Sequence, residues 1–131
     1  PDLVGIAAFR RAIDYIKALG IENIATHEQT LLKAATEGLM QIPDIRIFGT
    51  AEHKDSVLSF LVGDVSSYDI GILLDKLGVA VRTGHHCAQP LMHRLGIEGT
   101  VRASFAVYNT LEEVEQFVAA TARVAKMFTH K

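Results

Sequence analysis

Apolar residues recur between Leu3 and Leu19 at Ile6, Phe9, Ala12, Ile13, Ile16 and Leu19. Steps of three and four predict an amphipathic helix that ends at Gly20. A second stripe, Ile24, Leu31, Leu32, Ala35 and Leu39, predicts a helix from about Glu22 to Gln41, stopped by Pro43. The period then shortens. Ile45–Phe48 and Val57–Val62 read as strands, the latter rich in β-branched and aromatic residues. Ser66 or Ser67 can cap a helix over Tyr68–Leu77, which Gly78 closes.

Val79–Val81 reads as a buried strand leading into a polar loop, Arg82–Gln89. Pro90 suits the first turn of a short helix, Leu91–Leu95, ended by Gly96. Thr100–Tyr108 alternates as a strand, with Val101, Ala103, Phe105 and Val107 to one side and Arg102 and Ser104 to the other. Thr110 followed by Glu113 is a capping box that opens a last helix to about Phe128. The order α-α-β-β-α-β-(α)-β-α predicts the α/β class in its α+β form, a two-layer domain. A short mixed or antiparallel sheet would carry its helices on one side. The first helix lies outside the strand–helix alternation and is expected to pack less tightly than the rest.

Composition narrows the function. The chain has 131 residues, 49% of them hydrophobic, the size and balance of one folded domain. Thirteen basic residues face fifteen acidic ones, with no basic run, which argues against nucleic acid as a partner. No apolar run approaches the ~20 residues of a membrane span. The single cysteine, Cys87, excludes an internal disulfide framework and a multi-thiolate zinc cage. A lone thiol without a signal-like segment points to a cytoplasmic setting. The chain starts at Pro1 without a methionine, and its mean hydropathy of +0.22 is high for a small free-standing domain. Membership of a larger protein would explain both, and predicts an exposed apolar patch.

The chemistry concentrates in Arg82-Thr83-Gly84-His85-His86-Cys87-Ala88-Gln89-Pro90. Arg82, His85 and His86 precede the thiol and a helix N-terminus follows it, so positive charge and dipole both favour a thiolate. The competing reading is a small buried hydrophobe, against which the polar neighbours count. A metal site is disfavoured, because consecutive side chains alternate in extended backbone, and adding His93 leaves the set short of ligands. His27, His53 and His130 read as surface residues. Arg102, set mid-strand among apolar neighbours, needs an anionic partner: a structural salt bridge, or a substrate carboxylate held bidentately. No glycine pattern resembles a phosphate loop or a dinucleotide fingerprint.

Arg82 to Met92, followed by Val101-Arg102-Ala103-Ser104-Phe105-Ala106-Val107-Tyr108-Asn109-Thr110, resembles the C-terminal part of the SufS/CsdA-type cysteine desulfurases. These are class V aminotransferase-group enzymes that use pyridoxal phosphate. The resemblance covers essentially residues 1–131, and Pro1 is similar to the end of the Gly-Thr-Pro segment that precedes the family's small domain. It implies the C-terminal small domain of a fold-type I enzyme, with the large cofactor-binding domain absent. By position, Cys87 matches the residue that takes sulfur from L-cysteine as a persulfide while alanine is released. Arg102 matches the residue that holds the α-carboxylate, and Arg82 and His86 fall in the supporting loop. The loop form also resembles selenocysteine lyase-like members, so L-selenocysteine is an alternative substrate.

The family acts as homodimers and passes sulfur to SufE-like or SufU-like acceptors for iron–sulfur cluster assembly. Tyr68, where some SufU-linked members have histidine, leans towards a SufE-like acceptor. The family's cofactor lysine lies upstream of this region, and Lys33, Lys54 and Lys76 match no such motif. The chain alone is therefore expected to bind no cofactor or metal and to be inactive. A free-standing persulfide carrier or interaction module is the reading from a different class.

Overall fold

The computed structural model describes residues 1–128, and His130 lies outside them. Nine elements follow in the order α1 (Leu3–Leu19), α2 (Ile21–Met40), β1 (Ile45–Phe48), β2 (Val57–Val62), α3 (Ser67–Lys76), β3 (Arg82–Gly84), α4 (Gln89–Leu95), β4 (Thr100–Ser104) and α5 (Leu111–Phe128). The strands form one sheet in the order β1-β2-β4-β3, with every neighbouring pair antiparallel. The α+β expectation therefore holds in its antiparallel form.

Local signals set the helix ends. Ser66 caps α3 by accepting from the Tyr68 amide at 3.3 Å. The capping box closes in both directions: the Glu113 amide donates to Thr110 Oγ1 at 3.2 Å, and the Thr110 amide to Glu113 Oε2 at 3.0 Å. Gly20, at φ 84°, breaks α1 from α2 in a conformation that costs glycine little.

One face of the sheet is dry. Leu58, Phe60, Val62, Val101 and Ala103 pack there against Leu31, Ala35 and Leu39 of α2, Ile70 and Leu74 of α3, and Val114, Phe117 and Val124 of α5. Phe117 meets Phe60 and Phe105 edge-on at 5.9 and 6.0 Å, the arrangement ring quadrupoles prefer. Gly71 lets α3 approach the sheet, since a β-carbon there would lie 2.5 Å from Thr83 Cγ2.

Two strand expectations are corrected. Val79–Val81 is not a strand: the Val79 amide turns back to the Leu74 carbonyl at 3.0 Å, and the strand is Arg82–Gly84. The last strand ends at Ser104 rather than Tyr108. Beyond it the Phe105 amide still bonds the Ser56 carbonyl at 2.9 Å, but the Phe105 carbonyl takes the Ser56 hydroxyl at 2.6 Å in place of a backbone amide.

Helix α1 has no buried residue. Its stripe lies largely in solvent, with Ile6, Phe9 and Ile16 at 64%, 67% and 45% exposure, so the expected apolar patch is present.

Candidate functional site

The second face of the sheet is polar and open. Alternation from the buried residues puts Arg46 of β1, Ser59 and Leu61 of β2, Thr100 and Arg102 of β4, and Arg82 of β3 on this face. The register aligns three of them, because Arg102 sits opposite Ser59 on one side and Arg82 on the other. Like charges directly opposite destabilise an antiparallel pair. Among the described residues the one ion pair is Lys33–Glu37 on α2, so no carboxylate neutralises either arginine. The structural salt bridge considered for Arg102 is therefore absent among these residues. Its Nε is buried with no hydrogen-bond partner. A buried charged donor left unmet is costly, and it marks a place that an anion would complete.

The thiol stands at the end of β3. Ala88 donates its amide to the His85 carbonyl at 2.9 Å, closing a tight turn with His86 and Cys87 at its centre. Both central residues have positive φ, 55° and 58°, the signs of a mirror-image turn that glycine or asparagine ordinarily fills. Left-handed backbone costs a non-glycine residue roughly 1–2 kcal/mol, so the surroundings must hold it. They do so through the His86 ring, whose Nε2 lies 3.1 Å from the Thr100 carbonyl oxygen and 2.9 Å from Thr100 Oγ1. Cys87 itself is exposed, which removes the buried-hydrophobe reading.

A carbonyl oxygen only accepts, so Nε2 carries the proton. Nδ1 is then a bare acceptor, buried and unpartnered. Protonating it would place a second N–H in a dry position facing positive charge. Burial therefore holds the His86 pKa below 6.5; the Thr100 carbonyl bond opposes this in part, and Arg102, Arg82 and His85 reinforce it. The folded chain thus binds fewer protons than the unfolded one just below pH 6.5. The stability from neutral His86 is present above that pH and is lost as pH falls through the folded pKa. The His86 ring resonance in an NMR titration should have its midpoint below 6.5; a midpoint at or above that value contradicts the half-buried, neutral ring.

Gly84, at the end of β3, and Gly99, just before β4, differ in role. Gly84 is required for its φ of 102°, since a β-carbon there would meet nothing within 4 Å. Gly99 is required for space: a β-carbon there would lie 2.8 Å from the Gly84 backbone.

A cleft of about 670 Å³ opens beside this face, lined in part by Arg46, Leu61, Ser66, Ser67 and His85, but not by Cys87 or Arg102. The thiol and the paired arginines form an open wall rather than an enclosed pocket. The wall offers no amine for a cofactor. No lysine occurs in the four strands or in the turn; Lys33 pairs with Glu37, Lys54 Nζ donates to the Gly49 carbonyl at 3.0 Å, and Lys76 ends α3. Covalent attachment of pyridoxal phosphate needs a lysine in the site, so the described residues do not fit that role. No three His, Cys, Asp or Glu residues among them are placed to hold a metal ion.

The sequence singled out Cys87, Arg102, Arg82 and His86; the fold pairs Arg82 with Arg102 across the ladder, ties His86 to Thr100 of the same strand, and leaves Cys87 exposed in the turn that follows β3. It missed Thr100, whose hydroxyl and carbonyl carry the turn, and it placed Arg82 in a loop rather than across the ladder from Arg102. Both depend on strand register, which the one-dimensional pattern does not display.

The family model described as Aminotransferase class-V matches residues 1–117. A probable cysteine desulfurase of Xylella fastidiosa (strain 9a5c) is 46% identical over 127 residues, 97% of this chain and 30% of the relative. The structure of a cysteine desulfurase from Thermococcus onnurineus is similar at a TM-score of 0.84 and 42% identity, over 88% of this chain and 29% of that one. The cysteine desulfurase CsdA of Escherichia coli gives 0.89 at 33% identity, over 97% and 31%. The chain thus spans about 30% of the length of these relatives. With a match that runs through α1 to α4, all four strands and the first two turns of α5, the chain belongs to the class-V aminotransferase family.

Proposed function

We propose that this chain is the C-terminal, thiol-bearing domain of a cysteine desulfurase, in which Cys87 accepts sulfur and Arg102 binds the α-carboxylate of L-cysteine. The observation that carries this reading is the pair of opposed, unneutralised arginines one short turn away from an exposed thiol. A guanidinium fork suits a carboxylate, and a thiolate suits attack on sulfur. In the balanced step the substrate C–S bond breaks, a Cys87 S–S bond forms, and the substrate carbon takes a proton to leave as alanine. Pyridoxal phosphate, held by a part of the intact enzyme outside these residues, supplies the electron sink that loosens the C–S bond. Arg82 and His86 shape and support the loop. The chain alone has no desulfurase activity on this reading. The persulfide passes to a SufE-like or SufU-like acceptor for iron–sulfur cluster assembly, in a cytoplasmic homodimer.

Mass spectrometry of the intact enzyme after incubation with L-cysteine and cofactor should find one added sulfur on the Cys87 peptide, with one alanine released per sulfur. Alanine release with an unmodified Cys87 overturns the assignment.

A further inference from the structure

We propose that Thr100 is a positioning residue: through His86 it fixes the Cys87 turn at a set distance from Arg102, so that one strand, β4, gauges the site. The inference rests on the sulfur-transfer reading above. Thr100 and Arg102 occupy the same face of β4, two residues apart, which in a strand is about 6.6 Å. Arg102 is the arm for the carboxylate. Thr100 is the anchor for the turn, because its carbonyl and hydroxyl oxygens together hold the His86 ring at 3.1 and 2.9 Å.

The anchor is rigid. Thr100 is 1% exposed. It pairs across the ladder with Gly84, and the neighbouring Gly99 lies so close to Gly84 that no β-carbon fits between them. The thiol-bearing segment is therefore clasped at the backbone by Gly84–Thr100 and at the side chain by His86–Thr100. The second clasp holds left-handed His86 directly and left-handed Cys87 next to it, and both revert to commoner conformations once released. The purpose of holding them is geometric, since a displacement of about 1 Å at a reacting atom costs up to a hundredfold in rate.

The test uses Thr100→Val and Thr100→Ser in the intact enzyme. Valine keeps the β-branched shape a strand accepts. However, it puts a methyl, which needs about 3.5 Å, where the hydroxyl sat 2.9 Å from Nε2. The ring is pushed off both oxygens. Single-turnover persulfide formation on Cys87 should fall between about ten- and a hundredfold. The KM for L-cysteine should stay within about twofold, because the turn does not bind the carboxylate. Thr100→Ser should restore the rate, and the rate of Cys87 alkylation by iodoacetamide should change in Thr100→Val but not in Thr100→Ser. His86→Ala removes the same contact without touching the strand, and the double variant should be no slower than the slower single one.

Unchanged turnover and alkylation in Thr100→Val overturn the proposal, as does a serine variant as impaired as the valine one. The alkylation arm needs no desulfurase chemistry. An enzyme that shows the alkylation pattern but transfers no sulfur would remove the proposed function and leave the anchor standing.

Discussion

Cys87→Ser in the intact enzyme should reduce sulfur transfer to an acceptor by at least about a thousandfold while leaving L-cysteine binding in place. The serine hydroxyl is a far weaker nucleophile towards sulfur at neutral pH, and its oxygen cannot carry a persulfide. The fold should not register the change. Cys87 is exposed and makes no packing contact in the core, so its replacement by an isosteric polar residue should alter stability by no more than about 0.5 kcal/mol. The backbone at Cys87, φ 58°, is held by the His86 ring and the His85–Ala88 bond rather than by the sulfur. Activity assays beside a thermal melt separate the two effects. A Cys87→Ser enzyme that transfers sulfur at the original rate removes Cys87 from the reaction.

The legible parts of the molecule were those that local chemistry decides. Caps at Ser66 and Thr110 and the break at Gly20 involve partners within four residues, and each stands where the sequence placed it. Strand β3 was misplaced because its pairing is settled elsewhere. Val79–Val81 carries the apolar signal of a strand, but the Val79 amide bonds back into the last turn of α3, at Leu74. Arg82-Thr83-Gly84, with little strand propensity of its own, pairs because β4 offers it an open edge. The same non-local event creates the Arg82–Arg102 pair, so the feature on which the proposed chemistry rests was hidden although both residues had been singled out. Thr100 was invisible for a related reason: its role depends on a ring fourteen residues away in sequence meeting it in space. In α1 the stripe specifies a helix, and Leu3–Leu19 forms one. Periodicity locates an apolar face without saying what covers it, and here no residue of that face is buried.

Arg102 permits a prediction in which function and stability move in opposite directions. Its guanidinium sits across from Arg82 with no carboxylate beside either among the described residues, and its Nε is buried without a partner there. As a structural element this is unfavourable twice over, through like-charge opposition and through an unmet charged donor. A residue that weakens the fold it stands in is accounted for by what it binds. Arg102→Lys should raise the KM for L-cysteine between about ten- and a hundredfold, because a point charge replaces a planar fork matched to a carboxylate. Arg102→Met should raise KM further, yet leave the intact protein at least as resistant to denaturant, by about 0.2–1 kcal/mol from relief of the opposed charges. A structural salt bridge predicts the reverse signature: a loss of about 3–5 kcal/mol on removing one member, with KM little changed. Measuring denaturant midpoints and KM on the same two variants therefore decides between the two readings of this arginine, and an unchanged KM in Arg102→Lys rules out the carboxylate role.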